Sequence, residues 1–311
     1  MDETIKRNFM NLDINLLQKK FGKNLIINEN LSKYSWFNLG GPADIFFRPE
    51  NKLQILEFLR QLKGLKYDLY ILGAGSNTLI RDSGVKGIVI KLSSKFSQIK
   101  LLEKDKIEAG AAAFDRKVSD FAKEHSLSGM EFLSCIPGSI GGAVAMNCGC
   151  YGSDISQILH SVKVLDINGE EKVITKNEIQ FHYRGNNLPK NYIILSVILK
   201  GLLSSKEAIE KKQTELIRKK NESQPSKIKT GGSTFKNSNG KKAWALIKES
   251  GCDSFSVGDA KISEKHCNFF INNGKAKASD IEKLINKVKE EVKLKTGINL
   301  ELEIKIIGNE K

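Results

Sequence analysis

No apolar run in this 311-residue chain approaches the ~18 residues a membrane-crossing helix needs; YIILSVIL, at 192–199, is among the longer ones. The opening MDETIKRNFMNLDINLLQKKF is polar with scattered leucines. It lacks the apolar block of roughly 7–15 residues of a secretory signal, so a cytoplasmic protein is expected. The five cysteines, Cys135, Cys148, Cys150, Cys252 and Cys267, are an odd set without C-x-x-C spacing, which argues against a zinc site and for reduced thiols. Cys148 and Cys150 in NCGCYG read as small buried residues beside glycines before they read as metal or redox groups. The four histidines show no ligand spacing such as H-E-x-x-H, and no metal site is expected. The Walker pattern G-x-x-x-x-G-K-[ST] is absent, which counts against an NTPase. Arginine is scarce too: the chain carries +14 charges but only seven arginines, the other 43 basic residues being lysines spread along it. Base-edge and bidentate readout rest largely on arginine, so no nucleic-acid partner is expected, while anionic small ligands stay compatible with the charge. Neither an internal repeat nor a low-complexity tract is evident.

What the chain does contain is ordinary for a soluble globular protein, with 40% hydrophobic and 28% charged residues. Its length predicts two domains, or one with an addition. A helix is expected at about 12–21. FNLGGPADIFFRPEN reads as a glycine turn feeding a short strand ended by Pro49, and Leu53, Leu56, Leu59 and Leu62 mark a following helix. YDLYILGAGSN is a buried strand running into a glycine loop, and GIVIKL the next strand, a β-α-β order that suggests a small α/β unit. IKLLEKDKIEAGAAA is expected to form a hairpin, 115–125 a helix, and Asn168–Gly169 a second hairpin turn. After the strand YIILSVILK the composition shifts, at GLLSSKEAIEKKQTELIRKKNESQPSK, to a charged helix and polar linker. A domain boundary is placed near 204. Beyond it lie a helix at 241–250 and the strand CNFFIN. A helix follows with a capping box of Ser279 and Glu282, an apolar stripe of Ile281, Leu284, Ile285, Val288 and Val292, and Gly297 as its stop. In the last strand, Leu300, Leu302, Ile304 and Ile306 face one way and Glu301, Glu303 and Lys305 the other.

Two glycine segments could carry chemistry. LGAGSN (72–77) offers consecutive backbone N–H groups suited to a pyrophosphate. It does not meet the dinucleotide pattern G-x-G-x-x-G, since Leu79 stands at the helix-facing position. PGSIGG (137–142) would supply a second backbone wall, and two such walls suggest a long cofactor with a diphosphate, although a structural use is equally open. Ser233 in TGGSTFKN has no evident base beside it, which argues against a hydrolase nucleophile. By alternation alone Glu303 belongs to a solvated strand face, and Arg184 in FHYRGN is a strand-end arginine.

Taken in order, FNLGGPAD, ILGAGSNTLI, EFLSCIPGSIGGAVAMN, FHYRGN, GGSTFKN, ISEKHCNFFINNG and LELEIKIIG resemble the UDP-N-acetylenolpyruvoylglucosamine reductase (UDP-N-acetylmuramate dehydrogenase) family, over about residues 30–308. The compact C-terminal part is similar to the shorter subtype. The resemblance implies an α+β chain: a two-lobed FAD-binding domain of the vanillyl-alcohol oxidase (PCMH) type at 30–203, with lobes split near 94, and a smaller α/β substrate domain at 204–311, after an N-terminal helical segment at 1–29. It implies FAD held by Gly73, Ala74, Gly75, Ser76, Asn77 and Thr78 and by Pro137, Gly138, Ser139, Gly141 and Gly142. It implies NADPH as hydride donor and UDP-N-acetylglucosamine enolpyruvate as substrate, bound by Tyr151, Lys236, Asn237 and Lys305. Arg184 would meet the substrate carboxylate, Ser233 would donate the proton and Glu303 would orient or stabilise the intermediate. A monomer is expected. The chain departs from the family pattern at Asn186, where serine is usual, at Ser238 for proline, at Lys305 for arginine, and at Cys148 and Cys150 for smaller residues. Two other readings stand beside this one. A different flavin oxidoreductase would lack the GGSTFKN and LELEIKIIG segments, and a lysine-rich nucleic-acid binder would be colourless.

Overall fold

The computed structural model describes residues 12–238 and 240–310; the first eleven residues of the expected N-terminal segment lie outside the described ones. The chain forms two compact units. One comprises the residues up to Ile27 with Asp44–Ala74 and Gly87–Lys220, the other Asn28–Ala43, Gly75–Lys86 and Asn221–Lys311. Neither unit is a single contiguous range: two early segments pack with the last part of the chain. The charged helix Lys206–Ser223 belongs to the first unit as far as Lys220. Its Ile209, Gln213 and Leu216 are buried, and the Gln213 amide donates to the Ser119 hydroxyl at 2.8 Å. Its charges line the faces left over, which is why the composition shifts here.

The first unit holds two cores. One gathers around a sheet whose strands run in the order Leu25–Asn30, Pro42–Phe47, Val85–Ile90 and Leu69–Ile71, the last two parallel. Helices Ile14–Phe21 and Lys52–Leu62 contribute to it. Phe47 meets Phe58 and Phe21 at ring-centroid distances of 4.2 and 5.0 Å. Ile55, Phe58, Leu59 and Leu62 form the buried stripe of the second helix, whereas Leu53 of the expected stripe is 69% exposed. The other core lies against a five-stranded antiparallel sheet in the order Glu171–Thr175, Leu159–Leu165, Ile193–Lys200, Lys106–Gly110 and Ile99–Glu103. The two expected hairpins are its outer pairs. Helices Asp115–Glu124 and Ile140–Ala145 supply Val118, Ala122, Ile140 and Val144 to this core.

The second unit is built on an antiparallel sheet in the order Lys229–Ser233, Phe269–Asn272, Ala260–Ile262 and Ser256–Val257. Helix Ala278–Thr296 buries the expected stripe, and Gly297 ends it in the left-handed region at φ 73°. Of the alternating C-terminal run, only Lys305–Ile307 is a strand, parallel to Thr78–Ile80; Leu300 and Ile304 are buried. Phe37, fully buried, enters this core, and the Asn272 amide donates to its carbonyl at 3.0 Å. The start of the long helix differs from the expected capping box. The Asp82 carboxylate accepts the Ala278 and Ser279 N–H groups at 2.8 and 3.0 Å, Asp280 accepts that of Lys277 at 2.9 Å, and Glu282 instead takes the Arg81 guanidinium at 2.9–3.1 Å. A carboxylate from a distant loop satisfies orphan donors as a local serine would, with the added attraction of the helix dipole. Among the described residues no helix is long and apolar enough to cross a membrane, and no group of three potential metal ligands occurs.

Asp82→Ala is expected to lower the unfolding free energy by about 1–2 kcal/mol, and Ser279→Ala to change it by less than about 0.5 kcal/mol. Urea midpoints at constant m value decide between this non-local cap and the local box.

Candidate active site

Gly73 and the 137–142 segment approach each other inside the first unit. A Cβ built on Gly73 would stand 2.8 Å from the Ser139 hydroxyl and 3.9 Å from Gly142 Cα. Glycine is required at both walls, because a side chain at Gly73 would fill the space between them. Gly141 is likewise held against Ala111, its N–H donating to the Ala111 carbonyl at 3.0 Å. Behind Gly138, a Cβ would lie 2.5 Å from an oxygen of Asp115, a fully buried carboxyl with no hydrogen-bond partner. Burial pushes that carboxyl well above the usual range.

Sequence reasoning missed one cation here. Lys91, mostly buried, donates to the Gly73 carbonyl, and burial together with the Arg48 charge pulls its ammonium down to about 8. An ammonium held in a poorly hydrated place favours an anion beside it. A glycine-walled cradle with a largely buried ammonium therefore fits the diphosphate of a dinucleotide such as FAD. Nothing in the sequence marks Lys91 among 43 lysines.

Arg184 sits at the tip of a hairpin whose strands, Phe181–His182 and Gly185–Asn186, pair Phe181 with Asn186 and His182 with Gly185. Its φ is +59°, a region where a non-glycine residue carries strain of roughly 1–2 kcal/mol. The hairpin is pinned to the cradle segment. The Asn186 amide donates to the Val144 carbonyl at 2.7 Å, and the Asn147 amide to that of His182 at 3.1 Å. A Cβ on Gly185 would collide with the His182 ring. The guanidinium lies 5.1 Å from the centre of the Tyr183 ring. Tyr151, also at positive φ (53°), is 42% exposed.

In the second unit Ser233 ends a strand interrupted by a bulge. Thr230 faces Ile271 and Ser233 faces Phe269, so the two glycines fall inside the irregularity. Such a bulge re-aims the next side chain. The glycines have separate causes: a Cβ on Gly231 would stand 2.5 Å from the Phe37 ring, whereas Gly232, at φ +78°, faces nothing within 4 Å. Only Gly232 leaves open space; Gly231 serves the core. Next to Ser233, the Thr234 carbonyl accepts the Glu303 N–H at 2.8 Å. The Asn77 amide donates to the Glu303 carbonyl at 3.1 Å and its own carbonyl accepts the Lys305 N–H at 2.9 Å. Asn77, Thr78, Ser233, Glu303 and Lys305 thus share one neighbourhood of this unit, while Gly75 is held by contact with the Tyr34 backbone. Lys236 pairs with Glu301 at 3.4 Å, and Asn237 caps the helix Ala243–Glu249 through the Ala243 N–H at 3.0 Å. Gly73, Ala74, Pro137–Gly142, Tyr151 and Arg184 belong to the first unit.

The second unit also holds a cavity of about 830 Å³ that the motifs did not flag, lined among others by Trp244, Lys248, Lys261, Lys265 and His266. Trp244 is 45% exposed, and burial lowers the His266 pKa. His266 stacks edge-on against Phe269, the strand partner of Ser233, at 4.8 Å.

Residues 43–175 match the family model of the FAD binding domain. Residues 224–307 match that of the UDP-N-acetylenolpyruvoylglucosamine reductase C-terminal domain. The class is therefore a flavoprotein that joins an FAD-binding domain to a reductase domain. Similar proteins include the UDP-N-acetylenolpyruvoylglucosamine reductase of Pelagibacter ubique, 45% identical over 95% of this chain and 98% of that one. The enzyme of the same name from Rickettsia rickettsii is 44% identical over 90% and 94%. Among solved structures, the crystal structure of UDP-N-acetylenolpyruvylglucosamine reductase from Thermus caldophilus superposes with a TM-score of 0.79 at 33% identity, covering 91% of this chain and 97% of its own. This chain belongs to the UDP-N-acetylenolpyruvoylglucosamine reductase family.

Lys91 gives up its proton near 8 in the folded chain and only near ~10.4 when unfolded. Between these values unfolding takes up a proton, so this group's contribution to stability increases as pH rises. The unfolding free energy of the FAD-free protein, measured from about pH 8 to about pH 9.5, should therefore rise more steeply than that of Lys91→Met; parallel curves would contradict the burial of this charge. At the hairpin tip, Arg184→Gly should be more stable than Arg184→Ala by about 1 kcal/mol, because only alanine keeps the left-handed strain. Paired thermal melts test this.

Proposed function

We propose that the chain reduces the enolpyruvyl double bond of UDP-N-acetylglucosamine enolpyruvate, with NADPH as the source of hydride, to give UDP-N-acetylmuramate for peptidoglycan synthesis. The observation that carries the reading is the reductase domain match at 224–307, whose range includes both Ser233 and Glu303. A general flavin oxidoreductase has no need of that domain. The chemistry FAD supplies when bound is hydride transfer, from NADPH and then to the terminal carbon of the enolpyruvyl group. We assign the cofactor to a domain at 30–203, with Gly73–Thr78 and Pro137–Gly142 around the diphosphate and Lys91 as its counter-charge. The substrate domain is 204–311.

Hydride arriving at the terminal carbon drives negative charge onto the substrate carboxylate. Arg184 meets that charge with a planar fork of donors, which holds the carboxylate in one orientation and stays cationic at any working pH. The adjacent carbon then needs a proton, which we assign to the Ser233 hydroxyl. An alcohol is a weak acid, so it donates only to a strongly basic centre and must recover its proton from a neighbour or water. Glu303 is assigned to orient that centre; it is fixed by backbone hydrogen bonds to Thr234 and Asn77. We place the anionic nucleotide portion along Tyr151, Lys236, Asn237 and Lys305. In this reading the enzyme works as a cytoplasmic monomer without a nucleic-acid partner.

Ser233→Ala should leave reduction of the bound flavin by NADPH within about two-fold of the parent, while reoxidation by the enolpyruvyl substrate falls by about 10²-fold or more, the scale of a lost general acid. Stopped-flow absorbance separates the two half-reactions. Equal losses in both would remove the serine from proton donation, and a colourless protein with no substrate-dependent NADPH consumption would overturn the reading as a whole.

A further inference from the structure

Two of the five cysteines form a pair that the reductase chemistry does not use. Cys135 ends the short helical turn Glu131–Cys135 and Cys150 lies in the two-residue strand Gly149–Cys150. The Cys150 thiol donates to the Phe132 carbonyl of that same turn at 3.5 Å, which brings its sulfur close enough to interact with that of Cys135. Cys135 is 6% exposed, while Cys150 is partly exposed and opens the pair to a small reagent. Ser134 Oγ lies 3.8 Å from the Cys135 sulfur, and Lys220 reaches the Cys135 carbonyl at 2.9 Å. The hydrogen bond from Cys150, helped by Ser134 and the Lys220 charge, pulls the Cys135 thiol below its ordinary value. The same bond, with burial, pushes Cys150 up. A sulfur whose thiolate is favoured, with a second thiol beside it, suits reaction with an oxidant followed by closure. Cys252 and Cys267 differ. Both are buried, burial raises both thiols, and they donate to the carbonyls of Ser250 and Trp244.

We propose that Cys135 and Cys150 are a site of reversible oxidation by hydroperoxides, closing to a disulfide. The Cys135 thiolate attacks a peroxide oxygen and breaks the O–O bond, giving a sulfenic acid and, after protonation, water or an alcohol. Cys150 sulfur then displaces hydroxide from the sulfenic sulfur and loses its own proton, which leaves as a second water. Two thiols are oxidised by two electrons and one peroxide is reduced. The disulfide would close a loop around residues 136–149, which include the cradle segment Pro137–Gly142 and the helix Ile140–Ala145. It also lies within the electrostatic reach of Arg184, whose charge acts on Cys150. The site is thus a covalent tie across the base of the segment that walls the cofactor.

The test treats the full-length holoenzyme with hydrogen peroxide, blocks remaining thiols with iodoacetamide and cleaves at methionine, which separates Cys135 from Cys148 and Cys150 at Met146. The expected result is a fragment pair joined by a disulfide, formed equally in Cys148→Ser, absent in Cys150→Ser, and released by dithiothreitol with recovery of both thiols. Alkylation of Cys252 and Cys267 should be unchanged. A cross-link that persists in Cys150→Ser, a Cys148–Cys150 disulfide, oxidation of Cys135 to sulfinic acid without a cross-link, or no loss of thiols would each overturn the proposal. Since the readout is a covalent bond, its failure is distinct from failure of the reductase reading.

Discussion

Hydrogen bonds at Asn77 and Glu303 join three stretches of chain far apart in sequence. The Asn77 side-chain amide donates to the Glu303 carbonyl, the Asn77 backbone carbonyl accepts from the Lys305 N–H, and the Glu303 N–H goes to the carbonyl of Thr234, the neighbour of Ser233. A residue bonded through both its side-chain amide and its backbone carbonyl in this way fixes register as well as distance. The parallel pairing of Lys305–Ile307 with Thr78–Ile80 continues directly from it. The placement of Ser233 and Glu303 relative to one another follows from this junction and from the bulge at the two glycines, rather than from any direct bond between the two side chains.

The elements that could be read from the chain were those whose cause is local. Hairpins at EKDK and Asn-Gly, the stripe of the long C-terminal helix and its glycine stop follow from turn chemistry and periodicity, and each is present. The misreadings share one cause, partners distant in sequence. Ser279 and Glu282 have the spacing of a capping box, yet Glu282 is taken by Arg81 and the cap comes from Asp82. Leu53 has helical spacing with its neighbours, but the sheet lies on the side of Ile55 and Phe58. Gly231 stands in the TGGSTFKN motif, yet the space it leaves is taken by Phe37 of the core. Lys91 carries no local signal at all, since its significance comes only from burial. The candidate site was legible as motifs because the family resemblance supplied the roles, which spacing alone could not.

Three non-glycine residues with left-handed backbone lie where the candidate chemistry is placed. Asn147, Tyr151 and Arg184 all have positive φ within a stretch that also holds the cradle segment. Strain of this kind persists only where surrounding bonds over-determine it, and here Asn147 and Asn186 supply them. Asn186, a departure from the usual serine, reaches the Val144 carbonyl and orders Leu188 through a second bond at 3.0 Å. The longer amide thus serves as a brace for the hairpin that carries Arg184.

The discontinuous make-up of the two units sets an order of events during synthesis. Every residue of the first unit has been made once Lys220 is added, so its two cores can close while the chain is still being translated. The second unit cannot do this. Phe37, which fills the space beside Gly231, and Asp82, which caps the helix at Ala278, emerge early and meet these C-terminal partners only when the last ninety or so residues follow. Vectorial folding of this chain therefore ends with its C-terminal stretch closing around segments made long before, and a ribosome that stops short of residue 300 releases a finished first unit with an unfinished second one.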